Sequence, residues 1–124
     1  MNIATHTLGC KLNFAETSHL QRKFAEMDFN IVPFHEKADI YVINTCTVTS
    51  VAEKKCRNAI RQAIALNPKA VVAVVGCFAQ NDAPQIASIP GVSIVLGNDR
   101  KHMLPQYVSQ YLRGDFAVDP LINT

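Results

Sequence analysis

The sequence lacks the features of a membrane or exported protein. Its longest apolar run covers residues 70–76, far short of the roughly 20 apolar residues that a membrane helix requires. Residues 1–10 contain no charged start, no long apolar run and no small-residue cleavage site, so we expect no signal peptide there. We therefore expect a cytoplasmic protein with no membrane contact. Disulfides are rare in that compartment, so the four cysteines need another role.

An excess of charge of one sign is also missing. Twelve Lys and Arg residues oppose ten Asp and Glu residues, and the formal net charge of +2 gives no overall basic field of the kind that marks many nucleic-acid-binding proteins. The sequence contains no internal repeat and no low-complexity segment. Its composition, 48% hydrophobic and 18% charged, is that of an ordinary globular chain, and its length suits one domain with one core.

Short apolar runs alternate along the chain with longer amphipathic segments. Asn13 is expected to cap a first helix, and Ser50 with Glu53 matches a capping box at the start of a second. The predicted strands cover residues 3–8, 30–34, 39–44, 70–75 and 92–96. The predicted helices cover residues 13–27, 50–66, 82–88 and 99–114, the last interrupted or restarted by Pro105.

Strand and helix in alternation predict an α/β fold. We expect a three-layer, doubly wound, mostly parallel five-stranded sheet of the flavodoxin- or Rossmann-like kind, with strand order 2-1-3-4-5. Only residues 34–38 separate the second and third predicted strands, which leaves no room for a helix. A few extended residues can just make this parallel return, and an antiparallel second strand at the edge is the alternative.

Three cysteines follow three of these strands. Cys10, Cys46 and Cys77 each lie two residues past a predicted strand end. The carboxyl ends of parallel strands meet at one edge of a sheet, which is where such folds bind their ligands. The sequence therefore predicts a site of three thiolates at that edge.

Several groups suit three thiolates. A structural zinc ion takes four Cys or His ligands, whereas three cysteines on a [4Fe-4S] cluster leave one iron open to an exchangeable ligand. Zinc, a nucleophilic thiol and plain core cysteines remain alternatives from spacing alone. Polar residues in the same loops are candidates to donate hydrogen bonds to thiolate or sulfide: Asn13, Asn44, Thr45, Thr47 and Gln80.

The motifs around these cysteines resemble a known family. The segment from Thr7 to Asn13 (TLGCKLN), the segment from Ala38 to Thr49 (ADIYVINTCTVT) and the segment from Val75 to Gln80 (VGCFAQ) are similar to the N-terminal domain of the radical-SAM methylthiotransferases. The resemblance covers roughly residues 2–112. It implies that Cys10, Cys46 and Cys77 hold an auxiliary [4Fe-4S] cluster. It also implies a radical-SAM domain that cleaves S-adenosylmethionine and a TRAM domain that helps to bind RNA, both in the same polypeptide.

The same motifs indicate a branch of that family. They look most like the enzymes that add a methylthio group to N6-threonylcarbamoyladenosine next to the tRNA anticodon. The isopentenyladenosine branch, the ribosomal-protein branch and a non-catalytic metal-binding α/β domain are the alternatives. The C-x-x-x-C-x-x-C motif of the radical-SAM domain is absent from this sequence. We therefore expect residues 1–112 to be the cluster domain and 113–124 the start of a linker toward a radical-SAM domain, and we expect this fragment alone to be inactive.

Other conspicuous residues receive simpler interpretations. Cys56 shares a helical face with Ala52, Ala59 and Ala63, so we expect it to pack in the core. The basic stretch on the same helix is expected to be a solvated face, with contact to tRNA phosphate as the alternative. No role is assigned to the four histidines. The basic stretch consists of Lys54, Lys55, Arg57 and Arg61.

Overall fold

A computed structural model describes residues 1–8, 11–45, 50–76, 85–86, 88–97, 101–112 and 121–123, without the side chains of residues 11–13, 50, 101 and 121–123. Most of the short helix predicted over residues 82–88 lies outside these ranges, as does Asp99, the predicted cap of the last helix. Among the described residues, no helix is both long enough and apolar enough to span a membrane.

Six parallel strands form one sheet in the order β2-β1-β3-β4-β5-β6. The predicted fold class and the predicted order of the first five strands are confirmed, and the antiparallel alternative for the second strand is wrong. The strands are β1 Asn2–Thr7, β2 Asn30–Val32, β3 Ile40–Thr45, β4 Val71–Gly76, β5 Val92–Leu96 and β6 Leu121–Asn123. The helices are α1 Lys11–Glu26, α2 Ser50–Leu66 and α3 Leu104–Leu112, with a 3-10 turn at Lys101–Met103.

The structure differs from the sequence prediction at several element ends. Helix α1 begins at Lys11, so Asn13 lies within its first turn and is not its cap. Helix α2 begins at Ser50 itself, so Ser50 is not outside the helix as a capping residue would be. Pro105 is the second residue of α3, where proline costs no backbone hydrogen bond, and the helix restarts there as expected. Strand β6, in the segment predicted as a linker, was not expected.

The short return from β2 to β3 is held by the hydroxyl of Tyr41. This hydroxyl accepts a hydrogen bond from the backbone N–H of Ala38 at 2.8 Å and donates one to the carbonyl oxygen of Glu36 at 2.8 Å. The Asn67 side chain donates to the Ala38 carbonyl oxygen, also at 2.8 Å. Because these bonds satisfy backbone groups at the turn, β2 and β3 lie parallel without a helix between them.

The core is divided by the sheet into two layers. Helix α2 packs on one face through Cys56, Ala59, Ile60 and Ala63. Helices α1 and α3 pack on the other face, and their core side chains are Leu20, Phe24, Leu104 and Val108. Every residue of β3 and of β4 is buried, as their apolar runs predict, and the burial in β3 includes the polar residues Asn44 and Thr45 at its end. This arrangement is the three-layer architecture, and the carboxyl ends of the central strands lie together at one edge of the sheet.

Candidate metal centre

The carboxyl ends of β1, β3 and β4 lie side by side. Thr7 pairs in register with Asn44, and Asn44 pairs with Val75. The next pair is Thr45 with Gly76, and the backbone N–H of Leu8 donates to the carbonyl oxygen of Asn44 at 2.8 Å. The three central strands therefore end level with one another at one edge of the sheet.

All three cysteines of the predicted cluster follow these strand ends, but they lie outside the described residues, as do Thr47 and Gln80. The equal spacing expected from the sequence is wrong, because β1 ends at Thr7 while β3 ends at Thr45 and β4 at Gly76. Cys46 and Cys77 directly follow the last residue of their strands, whereas Cys10 is the third residue after its strand.

The side chain of Thr17 ties α1 to two of the strand ends. Its Oγ1 accepts a hydrogen bond from the Thr7 hydroxyl at 2.8 Å and another from the Asn44 amide at 3.1 Å. Thr17 is buried, and Asn44 is completely buried. Asn44, one of the candidate hydrogen-bond donors, thus uses its side-chain N–H group within the fold. This bond positions the end of β3, from which the chain continues to Cys46. Asn13 contributes a backbone position only, since its side chain is not described.

The importance of Thr17 was not predicted from the sequence. A threonine in the middle of an amphipathic helix gives no periodic signal that separates it from a solvated residue. Only the packing of α1 across β1 and β3 brings its hydroxyl to both strands.

Gly76 allows β3 and β4 to approach each other closely at this edge. Its φ is +108°, a backbone conformation that favours glycine, and a Cβ at this position would overlap the carbonyl oxygen of Thr45. The Thr45 hydroxyl donates to the carbonyl oxygen of Val75 at 2.8 Å, which links the two strand ends a second time. The residue directly before Cys77 is therefore a glycine that permits a close approach of two strands. Like Asn44, Thr45 therefore donates its side-chain hydrogen bond within the fold.

Cys56 is separate from this edge and has different chemistry. It is 1% exposed in the core beneath α2, which confirms the predicted packing role. Burial raises the pKa of its thiol to about 11, the nearby Arg57 guanidinium lowers it by a smaller amount, and the Glu53 carboxylate adds slightly to the rise. A thiol with this pKa stays protonated near neutral pH and is a poor metal ligand. The described residues hold no group of three or more His, Cys, Asp and Glu side chains placed to bind a metal ion.

The fold and the edge together define a parallel α/β domain in which three strands end level with one another, and a cysteine follows each of them in the sequence. A family model described as "Uncharacterized protein family UPF0004" matches residues 2–97. The chain belongs to that family.

Curated relatives have more specific names. The chain is 46% identical over 109 residues to the threonylcarbamoyladenosine tRNA methylthiotransferase MtaB of Bacillus subtilis, a match that covers 88% of this chain and 24% of the relative. The chain is 42% identical over 112 residues to the protein of the same name from Aquifex aeolicus, and the match covers 90% of this chain and 27% of the relative. The chain is 32% identical over 111 residues to the tRNA-2-methylthio-N(6)-dimethylallyladenosine synthase of Methylacidiphilum infernorum, and the match covers 86% of this chain and 24% of the relative.

These matches confirm the resemblance to the N-terminal domain of the methylthiotransferases, and most of all to the threonylcarbamoyladenosine branch. The chain spans about a quarter of the length of the curated relatives it matches.

Proposed function

We propose that this chain is the auxiliary-cluster domain of a tRNA methylthiotransferase, in which Cys10, Cys46 and Cys77 hold a [4Fe-4S] cluster. The observation that carries the proposal is the level ending of β1, β3 and β4, the three strands from which the chain continues to these cysteines. Two of the cysteines, Cys46 and Cys77, directly follow in the sequence the register pair Thr45 and Gly76.

The residues at this edge fit such a group. Three cysteine thiolates suit a cubane cluster better than a structural zinc ion, which takes four ligands. Gly76 leaves no side chain between the ends of β3 and β4, and the buried Thr17–Asn44 hydrogen bond fixes the end of β3. When bound, the cluster supplies an iron that is open to an exchangeable ligand, which in this family is proposed to carry sulfur. The chain's own part is to hold three thiolates on a rigid sheet edge and to leave that iron accessible.

We further propose N6-threonylcarbamoyladenosine next to the tRNA anticodon as the substrate of the whole enzyme. Identities of 46% and 42% are to proteins named for that nucleoside, although a third protein of that name is 29% identical, and identities to dimethylallyladenosine synthases lie between 27% and 38%. S-adenosylmethionine and the radical step belong to a radical-SAM domain in the same polypeptide, with a TRAM domain that helps to bind tRNA. The chain alone would then be inactive, and the enzyme would work in the cytoplasm.

Anaerobic reconstitution with iron and sulfide tests the cluster. We expect about four irons and four sulfides per chain, as the cluster formula requires. Cys10→Ala, Cys46→Ala and Cys77→Ala should each lose most of the iron and the visible absorption of the cluster. Cys56→Ala is the matched control: it removes a thiol that is buried and protonated, so it should retain the cluster.

Two results would overturn the cluster assignment. One is stoichiometric zinc in place of iron after purification and reconstitution under the same conditions. The other is an iron content that is the same in all four cysteine variants. The substrate is tested separately, by mass spectrometry of tRNA nucleosides from cells that depend on the full-length protein. Methylthio groups on isopentenyladenosine, with none on threonylcarbamoyladenosine, would assign the enzyme to the other tRNA branch.

A further inference from the structure

We propose that the outer face of α2, together with the groove between α2 and β1, is a binding surface for single-stranded RNA. The lysines of this face would contact phosphate, and the side-chain amides in the groove would contact an unpaired base. The choice of RNA as the ligand rests on the proposed function. The surface itself is argued from charge, shape and position in the described part of the chain.

Helix α2 concentrates positive charge that the chain as a whole does not have. It carries four cations and one carboxylate, a formal charge of +3 against +2 for the entire chain. The carboxylate, Glu53, is bonded to Arg57 at 3.2 Å. Lys54, Lys55 and Arg61 are exposed, whereas the Glu53 side chain is 40% exposed and its charge is paired. The other face of the sheet differs, because α1 mixes Glu16 and Glu26 with its own basic residues.

A groove of about 380 Å³ runs between α2 and the carboxyl half of β1. Its walls include Lys55, Asn58 and Gln62 from the helix, and His6 and Thr7 from the strand. Carboxamides of this kind can donate to and accept from the edge of a base, and sequence-specific RNA recognition mostly takes unpaired bases.

The strand wall of the groove lies where β1 extends beyond its pairing with β2. β2 pairs only with the first part of β1, from Asn2 to Ala4, so no described strand covers the outer edge of β1 beyond that point. His6 lies in this open part, where its ring is tilted against Phe34 with the centroids 4.9 Å apart. Burial lowers the pKa of His6, so near neutral pH the ring offers a neutral hydrogen-bonding surface beside the Lys55 ammonium.

The position of the groove relates it to the candidate metal centre. Its strand wall ends at Leu8, two residues before Cys10, and Leu8 is bonded to Asn44 of β3 at the carboxyl edge. A strand of RNA lying along Lys54, Lys55 and the groove would therefore pass beside the edge where the cluster is proposed. A nucleotide next to the modified one is the natural occupant of this groove.

Fluorescence anisotropy of a labelled RNA stem-loop with an unpaired loop tests the surface, in metal-free protein and over a series of salt concentrations. The double variant Lys54→Gln/Lys55→Gln should weaken binding roughly tenfold and flatten the salt dependence by about 1.4 in log–log slope, about 0.7 for each lost contact to single-stranded phosphate. Asn58→Ala should weaken binding several-fold with the slope unchanged. Arg22→Gln, an exposed cation on α1, is the control and should bind like the parent chain.

Several outcomes would overturn the proposal. One is that the double lysine variant binds RNA as tightly as the parent chain. Another is that Arg22→Gln loses as much affinity as the double lysine variant, and a third is that the protein binds a fully paired duplex of the same length as tightly as the stem-loop. Either of the last two outcomes would mean that the protein attracts any polyanion. Because the protein is free of metal, these readings do not depend on the cluster. Cys46→Ala should bind RNA like the parent, so failure of the RNA surface and failure of the metal centre are separate results.

Discussion

Gly76 lies so close to Thr45 that a Cβ at position 76 would overlap the carbonyl oxygen of Thr45, and it would stand only 2.8 Å from the Thr45 Oγ1. The neighbour in this contact is mainly backbone, and it is held in register by the β3–β4 ladder, so it cannot move aside cheaply. The chain continues from both residues directly to a cysteine of the candidate metal centre. A change in the packing of these two strand ends is therefore expected to alter the positions of the two cysteines as well.

Gly76→Ala is expected to destabilise the protein and to impair the metal centre. The positive φ and the overlap with Thr45 should together lower the free energy of unfolding by about 3 kcal/mol, measured by urea denaturation. Iron bound after reconstitution, per folded chain, should fall strongly.

Gly91→Ala is the matched control for this experiment. Gly91 also has a positive φ, +97°, but it precedes β5 at the opposite edge, and its added Cβ would meet the flexible end of the Ile64 side chain. It should cost about 1–2 kcal/mol of stability and leave iron binding intact. If both variants bound iron like the parent chain, the close approach at Gly76 would have no role in the metal centre.

Thr17→Val should destabilise the protein because two polar groups would lose their hydrogen-bond acceptor. Valine matches the shape of threonine but cannot accept hydrogen bonds from the Thr7 hydroxyl or the buried Asn44 amide. We expect a loss of about 2 kcal/mol in the free energy of unfolding, since the buried Asn44 amide and the partly buried Thr7 hydroxyl would lose their acceptor. Thr17→Ser keeps the hydroxyl and should lose less, and Ser18→Ala, at an exposed neighbouring position, should be close to neutral. Equal stability of the valine and serine variants would contradict this account.

The sequence predicted the sheet well because its central strands are unambiguous. Residues 40–43 and 71–76 are short apolar runs, and the amphipathic helix α2 lies between them in the sequence, a pattern typical of buried parallel strands. The three-residue strand β6 carries no such signal, because no periodicity can be read from so short a segment.

The candidate site was predictable in part. The carboxyl ends of parallel strands meet at one edge, and this is why the sequence points to Cys10, Cys46 and Cys77; the structure confirms the edge, and the cysteine site itself stays a prediction. The number of residues between each strand end and its cysteine could not be predicted from the sequence, because the ends of strands depend on tertiary hydrogen bonds such as that from Leu8 to Asn44. The bond between Thr17 and Asn44 depends on how α1 packs over the sheet, which no local pattern encodes.

Tyr41→Phe is expected to weaken the connection that keeps β2 parallel. The phenylalanine ring would still pack near Phe34, whose ring lies edge-on to that of Tyr41 at 5.4 Å. The Ala38 N–H would lose its acceptor and the Glu36 carbonyl its donor. A loss of about 1–3 kcal/mol in the free energy of unfolding should follow. Tyr111→Phe is the control, because the Tyr111 hydroxyl makes no hydrogen bond to any described residue, and a similar loss in both variants would count against the Tyr41 bonds.

Cys56 should make the stability of the protein depend on pH in the alkaline range. Burial raises the pKa of the folded thiol from 9.0 to about 11, so the unfolded chain loses this proton at a lower pH than the folded chain does. Below pH 9 both states keep the proton, and the thiol contributes its full stability there. Between pH 9 and about 11 the unfolded state alone ionises, and the free energy of unfolding should fall by roughly 2–3 kcal/mol.

Urea denaturation of the parent chain and of Cys56→Ala across this range isolates the contribution, since all other titrating groups are shared. Alanine leaves a small cavity under α2, so the variant should be less stable at neutral pH, and the difference between the two proteins should shrink as the pH rises. A difference that stays constant up to pH 11 would mean that the folded thiol ionises normally. In that case Cys56 would be reactive at lower pH than its burial indicates, and it would no longer serve as the inert control for the iron measurements.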